Sequence, residues 1–314
     1  MLDFRIETFL CVCKHMNYTK AAQELNITQP GVSQHIKYLE NYYGDRLFEY
    51  SNKSLELTRA GMDLRNAMLS IKQDTIQLKR RIQVRASEGG SVRFGATLTI
   101  GEFMLPNNLI SLIKNNSRLQ VEFTIADTRK LLSLLEAGSI DFAIVEGYFE
   151  KGEYDYITVS REAYRPVCGR NYPLEEIRDF QELLGHNLIV REEGSGTKEI
   201  LERYLSEKGY SIKDFARTTT ISSIHIIKHL LENNCGISFL YEIAVKKELE
   251  ANTLRSIELP DFPLYHEFNF IWRKNSVFKE YYHSLFSLIV SSVQEPFSTA
   301  GDPSSCVFDD SGQS

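Results

Sequence analysis

Two turns that mix glycines with hydroxyl side chains carry the clearest chemical signal in the chain. Thr97-Leu98-Thr99-Ile100-Gly101 closes a strand-like run and opens a helix-like one, and Glu193-Gly194-Ser195-Gly196-Thr197 repeats the arrangement further along. Glycine lets a backbone approach a ligand closely, the hydroxyls donate hydrogen bonds, and the start of a helix favours negative charge. The chemistry expected is therefore capture of a small, anionic metabolite, with Thr97, Thr99, Ser195, Gly196 and Thr197 as candidate contacts. Ser222 and Ser223, which open another helix, are weaker additions. Hydroxyls in such places can also serve only as helix caps. Arg191, Glu193 and Glu146 fall close to the same turns, and their opposite signs leave the ligand's charge open.

Turnover has less support. Ser195 lacks a G-x-S-x-G frame, and no Walker-type G-K-[ST] occurs. His225 and His229 share a helix face, but Ile226 follows His225, so H-E-x-x-H and its general base are absent. Cys11 and His15 are also four apart; two ligands do not make a zinc site, and the first helix must bury a face. The five cysteines are odd in number and scattered, which argues against a disulfide framework. The expectation is a protein that is not an enzyme and carries no cofactor and no metal.

The second constellation is helical and polar. From Gln29 to Tyr43, Val32, Ile36, Leu39 and Tyr43 mark one apolar face, while Pro30, Gln34, Lys37 and Asn41 lie opposite with Ser33 at the flank. Thr28 can cap this helix and Pro30 suits its first turn. Upstream, Tyr18 to Leu25 offers Ala21, Ala22 and Leu25 as a short, closely packing helix, and Asn26-Ile27-Thr28 turns the chain. This has the form of a helix-turn-helix whose second helix enters a major groove, although a plain helical hairpin shares the local pattern. Arg46-Leu47-Phe48 and Leu55-Glu56-Leu57-Thr58 then read as strands of a wing around the turn 51–54.

Taken together, Phe9, Ala21-Ala22, Leu25, Thr28-Gln29-Pro30-Gly31-Val32-Ser33, Leu39-Glu40, Gly44, Leu47-Phe48 and Leu57-Thr58-Arg59-Ala60-Gly61 resemble the N-terminal domain of LysR-type transcriptional regulators. The resemblance implies a multidomain α+β protein. A winged helix-turn-helix DNA-binding domain (1–61) would be followed by a linker helix that pairs subunits (62–88). A two-lobed α/β effector domain similar to periplasmic binding proteins (89–295) would follow, with a ligand between the two glycine-and-hydroxyl turns. Double-stranded DNA would meet Thr28, Gln29, Pro30, Ser33, Gln34 and Lys37, and Lys53 at the wing tip. Gly31 stands where the family usually has Ala, and Glu49-Tyr50 where an Arg is common, so one phosphate contact is missing and dimerisation matters more. The rival reading is a small-molecule binding protein whose helical N-terminus serves only assembly.

The wider chain fits this division. At 314 residues it is too long for one simple core. Its formal net charge is −6, yet residues 1–61 hold seven cations (Arg5, Lys14, Lys20, Lys37, Arg46, Lys53, Arg59) and seven carboxylates (Asp3, Glu7, Glu24, Glu40, Asp45, Glu49, Glu56). Which face carries the cations then decides DNA binding. Along Met62 to Arg85, Leu64, Met68, Ile71, Thr75, Leu78 and Ile82 form a seam close to that of a coiled coil, expected to join a homodimer or homotetramer, with Arg65, Lys72, Lys79, Arg80, Arg81 and Arg85 outward. Beyond it, strands are expected at 92–97, 119–126, 140–145, 186–191, 217–221, 236–240 and 268–272, alternating with helices as in a parallel sheet. Crossings between lobes are expected near 158–164 and 263–267. The tail 296–314 is rich in Ser and Gly and lacks Lys and Arg, a composition expected to stay disordered. No apolar run is long enough to span a bilayer and no signal peptide is visible, so a cytoplasmic location is expected.

Overall fold

The structure is a computed structural model that describes residues 3–51, 54–86, 90–175, 177 and 179–290. It opens with α1 (Phe4–His15), α2 (Tyr18–Leu25) and α3 (Gln29–Tyr43), each started by a side-chain cap. Asp3 accepts from the Arg5 N–H at 2.8 Å, Asn17 from Lys20 at 2.9 Å and Thr28 from Gly31 at 3.2 Å. Asn26 at φ 54° ends α2 in the left-handed region and swings the chain into α3. Phe9, Val12, Ala21, Val32, Ile36 and Leu39 bury against one another and against Leu47 and Phe48. Tyr43, expected on this face, is 46% exposed, because α3 outruns the helices that cover it.

The wing is a hairpin of β1 (Phe48–Ser51) and β2 (Ser54–Leu57), with Phe48 opposite Leu57. It begins later than the expected Arg46. There the chain is held otherwise: the Arg46 carbonyl accepts from the Thr58 hydroxyl at 2.5 Å, and the Leu47 N–H donates to Glu40 at 3.0 Å. Gly61 is required by a close approach, since a Cβ there would fall 2.1 Å from the Leu47 carbonyl oxygen.

α4 runs from Arg59 to Ala86, starting before the expected Met62 because the Thr58 hydroxyl accepts from the Gly61 N–H. Its apolar seam is divided. Leu64 and Met68 join the helix-turn-helix core, whereas Ile71, Leu78 and Ile82 are 45%, 50% and 60% exposed. Another face of the same helix docks on the α/β domain through polar groups. Arg65 donates to Glu136 at 3.0 Å and Glu153 at 2.8 Å, and Ser70 to the Lys274 carbonyl at 2.7 Å. Gln73 donates to the Ile140 carbonyl at 3.0 Å, and Arg80 to Asp141 at 2.5 Å and the Gly138 carbonyl at 2.8 Å. Asp74 accepts from the Ser276 hydroxyl at 2.5 Å and the Val277 N–H at 3.0 Å. Arg65 and Arg80, expected to face outward, are thus committed to the helix's own chain.

The α/β part is one nine-stranded sheet in the order β4-β3-β5-β11-β6-β9-β7-β8, with β10 added to β6. The first lobe holds β3 (Ser91–Ala96), α5 (Pro106–Asn115), β4 (Gln120–Ile125), α6 (Thr128–Glu136) and β5 (Phe142–Val145), its three strands parallel. The second holds β7 (Asn187–Val190), α7 (Gly196–Glu207), β8 (Arg217–Thr220), α8 (Ile224–Glu232), β9 (Ile237–Tyr241), α9 (Glu242–Glu250) and β10 (Leu254–Ser256), with β7 parallel to both β8 and β9. Joining them are β6 (Tyr154–Gly169) and β11 (Leu264–Arg273), long antiparallel partners whose register shifts at Phe268/Asn269; α10 (Lys279–Val290) follows. The sheet is therefore mixed, where a parallel one was expected, and the expected crossings near 158–164 and 263–267 fall within β6 and at the start of β11, the two strands that join the lobes. β4 forms a sheet edge and is largely exposed, not buried as its apolar residues suggest. The tail from 291 onward, including the expected disordered segment 296–314, lies outside the described residues.

Candidate effector cleft and DNA-reading face

The carboxyl ends of β3, β4, β5 and β7 converge on a cleft of about 190 Å³, the usual place for a ligand in an α/β sheet. Thr97 enters it directly after β3, fixed by an N–H···O bond of 3.1 Å to Ile144 on β5. A π-helical turn, Ile100–Met104, follows, and such turns are frequent at functional sites. Opposite, Gly194 at φ 86° turns the chain so that Ser195 and Gly196 open α7 against the end of β5. A Cβ on Gly196 would lie 3.0 Å from Cγ of Glu146 and 3.3 Å from the Gly147 backbone, so the approach of the two lobes uses its missing side chain.

Electrostatically the cleft is unusual. Arg191 is 5% exposed; its Nε and Nη2 each donate to Glu192 at 2.8 Å, which leaves Nη1 buried with no hydrogen-bond partner within the protein. Glu146 is fully buried, and burial pushes its carboxyl above the usual range, against the hydroxyls of Thr99 and Thr197, the charge of Arg191 and the hydroxyl of Thr97. The Thr197 hydroxyl donates to Glu146 at 3.0 Å, and the Tyr164 hydroxyl donates to the Thr197 carbonyl at 2.9 Å. Thr97 and Thr99 stand near enough to oppose the shift, yet their buried hydroxyls make no hydrogen bond of good geometry. Ser195 is 4% exposed and makes no side-chain capping bond.

The structure brings Thr97, Ser195, Gly196 and Ser222 together on the cleft wall. Thr99 and Thr197 sit behind them around Glu146. Ser223 is placed as the cap of α8, accepting from the Ile226 N–H at 3.4 Å. Glu193 faces an adjoining recess with Arg129 and Lys198, to which it is bonded at 2.6 Å. Asp127 also lines the cleft and caps α6, accepting from the Lys130 N–H at 2.7 Å. Sequence reasoning missed it and Glu192; an N-capping Asp at the carboxyl end of a strand was the available signal. Outside the cleft lining, His225 of α8 lies 3.4 Å from Glu102 of the π-helical turn.

At the other end of the chain, Thr28, Gln29, Pro30, Ser33, Gln34 and Lys37 are all exposed on one side of α3. His35 points inward instead, 3.0 Å from the Thr8 hydroxyl. Tyr38 lies beside this row under the guanidinium of Arg5, 4.0 Å from its ring centroid. Lys53, expected at the wing tip, lies outside the described residues.

This combination of helix-turn-helix and two-lobed ligand domain defines a DNA-binding transcriptional regulator with an effector-binding domain. Residues 5–62 match the bacterial regulatory helix-turn-helix proteins of the lysR family, and residues 85–292 match the LysR substrate binding domain; the chain belongs to the LysR-type regulators. It is 30% identical over 260 residues to an HTH-type transcriptional regulator of Methanocaldococcus jannaschii, covering 81% of this chain and 87% of that one. Among solved structures, full-length LysG of Corynebacterium glutamicum with bound effector Arg superimposes with a TM-score of 0.60 at 14% identity, over 93% and 98% of the two chains. The CcmR regulatory domain of Synechocystis in complex with 2-PG gives 0.58 at 17% identity, over 66% and 98%. Among the described residues no helix is long and apolar enough to cross a membrane.

Proposed function

We propose that the cleft takes a small anionic metabolite, and that its binding changes how paired α3 helices sit on an operator. The observation that carries this reading is the unspent donor capacity at the cleft, namely the Thr97 hydroxyl and Arg191 Nη1, buried without partners beside Ser195. Leaving such groups unsatisfied costs about 1–3 kcal/mol each, a cost that a bound oxyanion removes. The relatives solved with Arg and with 2-PG support a small polar effector in a domain of this fold. Ser33 and Gln34 would read base edges, Lys37 would meet phosphate, and the Ile71, Leu78 and Ile82 stripe of α4 would pair two subunits. To act as a switch, the metabolite must bind two conformations unequally.

A thermal-shift screen of oxyanions and carboxylates tests the cleft directly. A stabilising ligand should lose its effect in Thr97→Ala and Ser195→Ala while both variants still bind DNA. The pH dependence has a definite sign. Protonation of Glu146 removes a negative charge from the cleft, so anion affinity should rise as pH falls, and Glu146→Gln should flatten that dependence. A cleft that binds only neutral or cationic compounds would overturn the reading.

A further inference from the structure

The helix-turn-helix contains a second, separate constellation. Cys11 and His15 stand one turn apart on α1, and the fold adds Glu24 from the last turn of α2. The thiol, the imidazole and the carboxylate offer ligand atoms that all lie within 4.8 Å of one another. Bond lengths of about 2.3 Å to sulfur and 2.0–2.2 Å to nitrogen and oxygen place tetrahedral ligand atoms about 3.3–3.6 Å apart. The His15–Glu24 contact, at 2.6 Å, must widen to reach that geometry, and any separation near 4.8 Å must close by about 1 Å. The Cys11 Sγ is buried, with a long contact of 3.8 Å to the Ala21 carbonyl and the Glu24 carboxylate beside it. His15 and Glu24 are partly exposed, with side-chain exposures of 24% and 43%, which gives an ion a way in.

We propose that Cys11, His15 and Glu24 form a zinc site that ties α1 to α2, with water as the fourth ligand. One thiolate, one imidazole and one carboxylate suit Zn²⁺ better than the oxygen-seeking Mg²⁺ or Ca²⁺. Binding requires the Cys11 thiol to release its proton to solvent while the thiolate gives its electron pair to the metal. It also requires Lys14 to leave Glu24, to whose two oxygens it is now bonded at 2.7 and 2.8 Å. The lysine therefore competes with the metal for the carboxylate. Because Asn26 sets α3 directly from the end of α2, an ion at Glu24 stiffens the support of the recognition helix.

The test uses the full-length protein, stripped with a chelator and titrated with Co²⁺ as a spectroscopic stand-in for Zn²⁺. One equivalent should give tetrahedral visible bands and a thiolate-to-cobalt charge-transfer band, both displaced by Zn²⁺. Cys11→Ser should lose the charge-transfer band, and His15→Gln and the surface variant Glu24→Gln should each bind at least about 10-fold more weakly. Lys14→Ala should bind several-fold more tightly, an increase that an adventitious thiol site elsewhere would not show. Absence of the cobalt bands, their survival in Cys11→Ser, or affinity unchanged by Glu24→Gln would overturn the site.

Discussion

On α3 the polar side chains Gln29, Ser33, Gln34 and Lys37 stand in solvent, whereas Thr97, Thr99, Ser195 and Arg191 around the cleft are at most 5% exposed. Hydroxyls and cations are thus held ready in opposite ways. Water satisfies the reading face until DNA displaces it, so that face costs the fold almost nothing. The cleft keeps donors away from water without partners, and the free protein carries that cost. Residues of the first set should therefore be separable from stability, and residues of the second should not.

Arg191→Ala puts the largest strain on this contrast. Removing the guanidinium leaves the buried Glu146 without its nearby cation, a loss of about 1–3 kcal/mol, so the variant should lose anion-induced stabilisation and lower the melting temperature, as differential scanning fluorimetry would show. Gln34→Ala should leave the melting temperature almost unchanged but lower operator affinity by about 1–3 kcal/mol, measured by fluorescence anisotropy against a scrambled duplex. Equal losses on both duplexes would remove Gln34 from base reading. Thr97→Val sharpens the comparison, because it deletes a buried unsatisfied hydroxyl. The ligand-free protein should gain about 1 kcal/mol in denaturant unfolding while anion binding weakens. Smallest is Lys37→Ala, which should reduce affinity for all sequences alike and lower the salt-dependence slope by about 1.

How much of this could be read from the sequence depended on whether partners were local. The boundaries of α2 and α3 follow from periodicity and caps within the segment, since Asn17, Thr28 and Gly44 act on neighbours in the chain. The docked face of α4 was hidden. Ser70, Gln73 and Arg80 look solvent-facing until Lys274, Ile140 and Asp141 arrive from distant parts of the chain. β6 escaped notice because its exposed middle and buried end serve different neighbours, β11 and then β9, so no single alternation runs through it. Thr97 and Ser195 were legible as strand-to-helix turns, but the burial of Glu146 between them depends on Gly196 bringing the lobes together. Glu24 next to Cys11 and His15 is likewise a product of helix packing.

The polar docking of α4 has a mechanical consequence. Hydrogen bonds and ion pairs from Arg65 to Arg80 clamp the helix to the first lobe and the end of β11, while its upper end is embedded in the helix-turn-helix core. First lobe, shaft and reading head therefore form one lever arm. The second lobe makes none of these clamping contacts and joins the arm through β6 and β11, so a displacement of that lobe alone would leave the reading head in place unless the lobe were also held by something outside the chain.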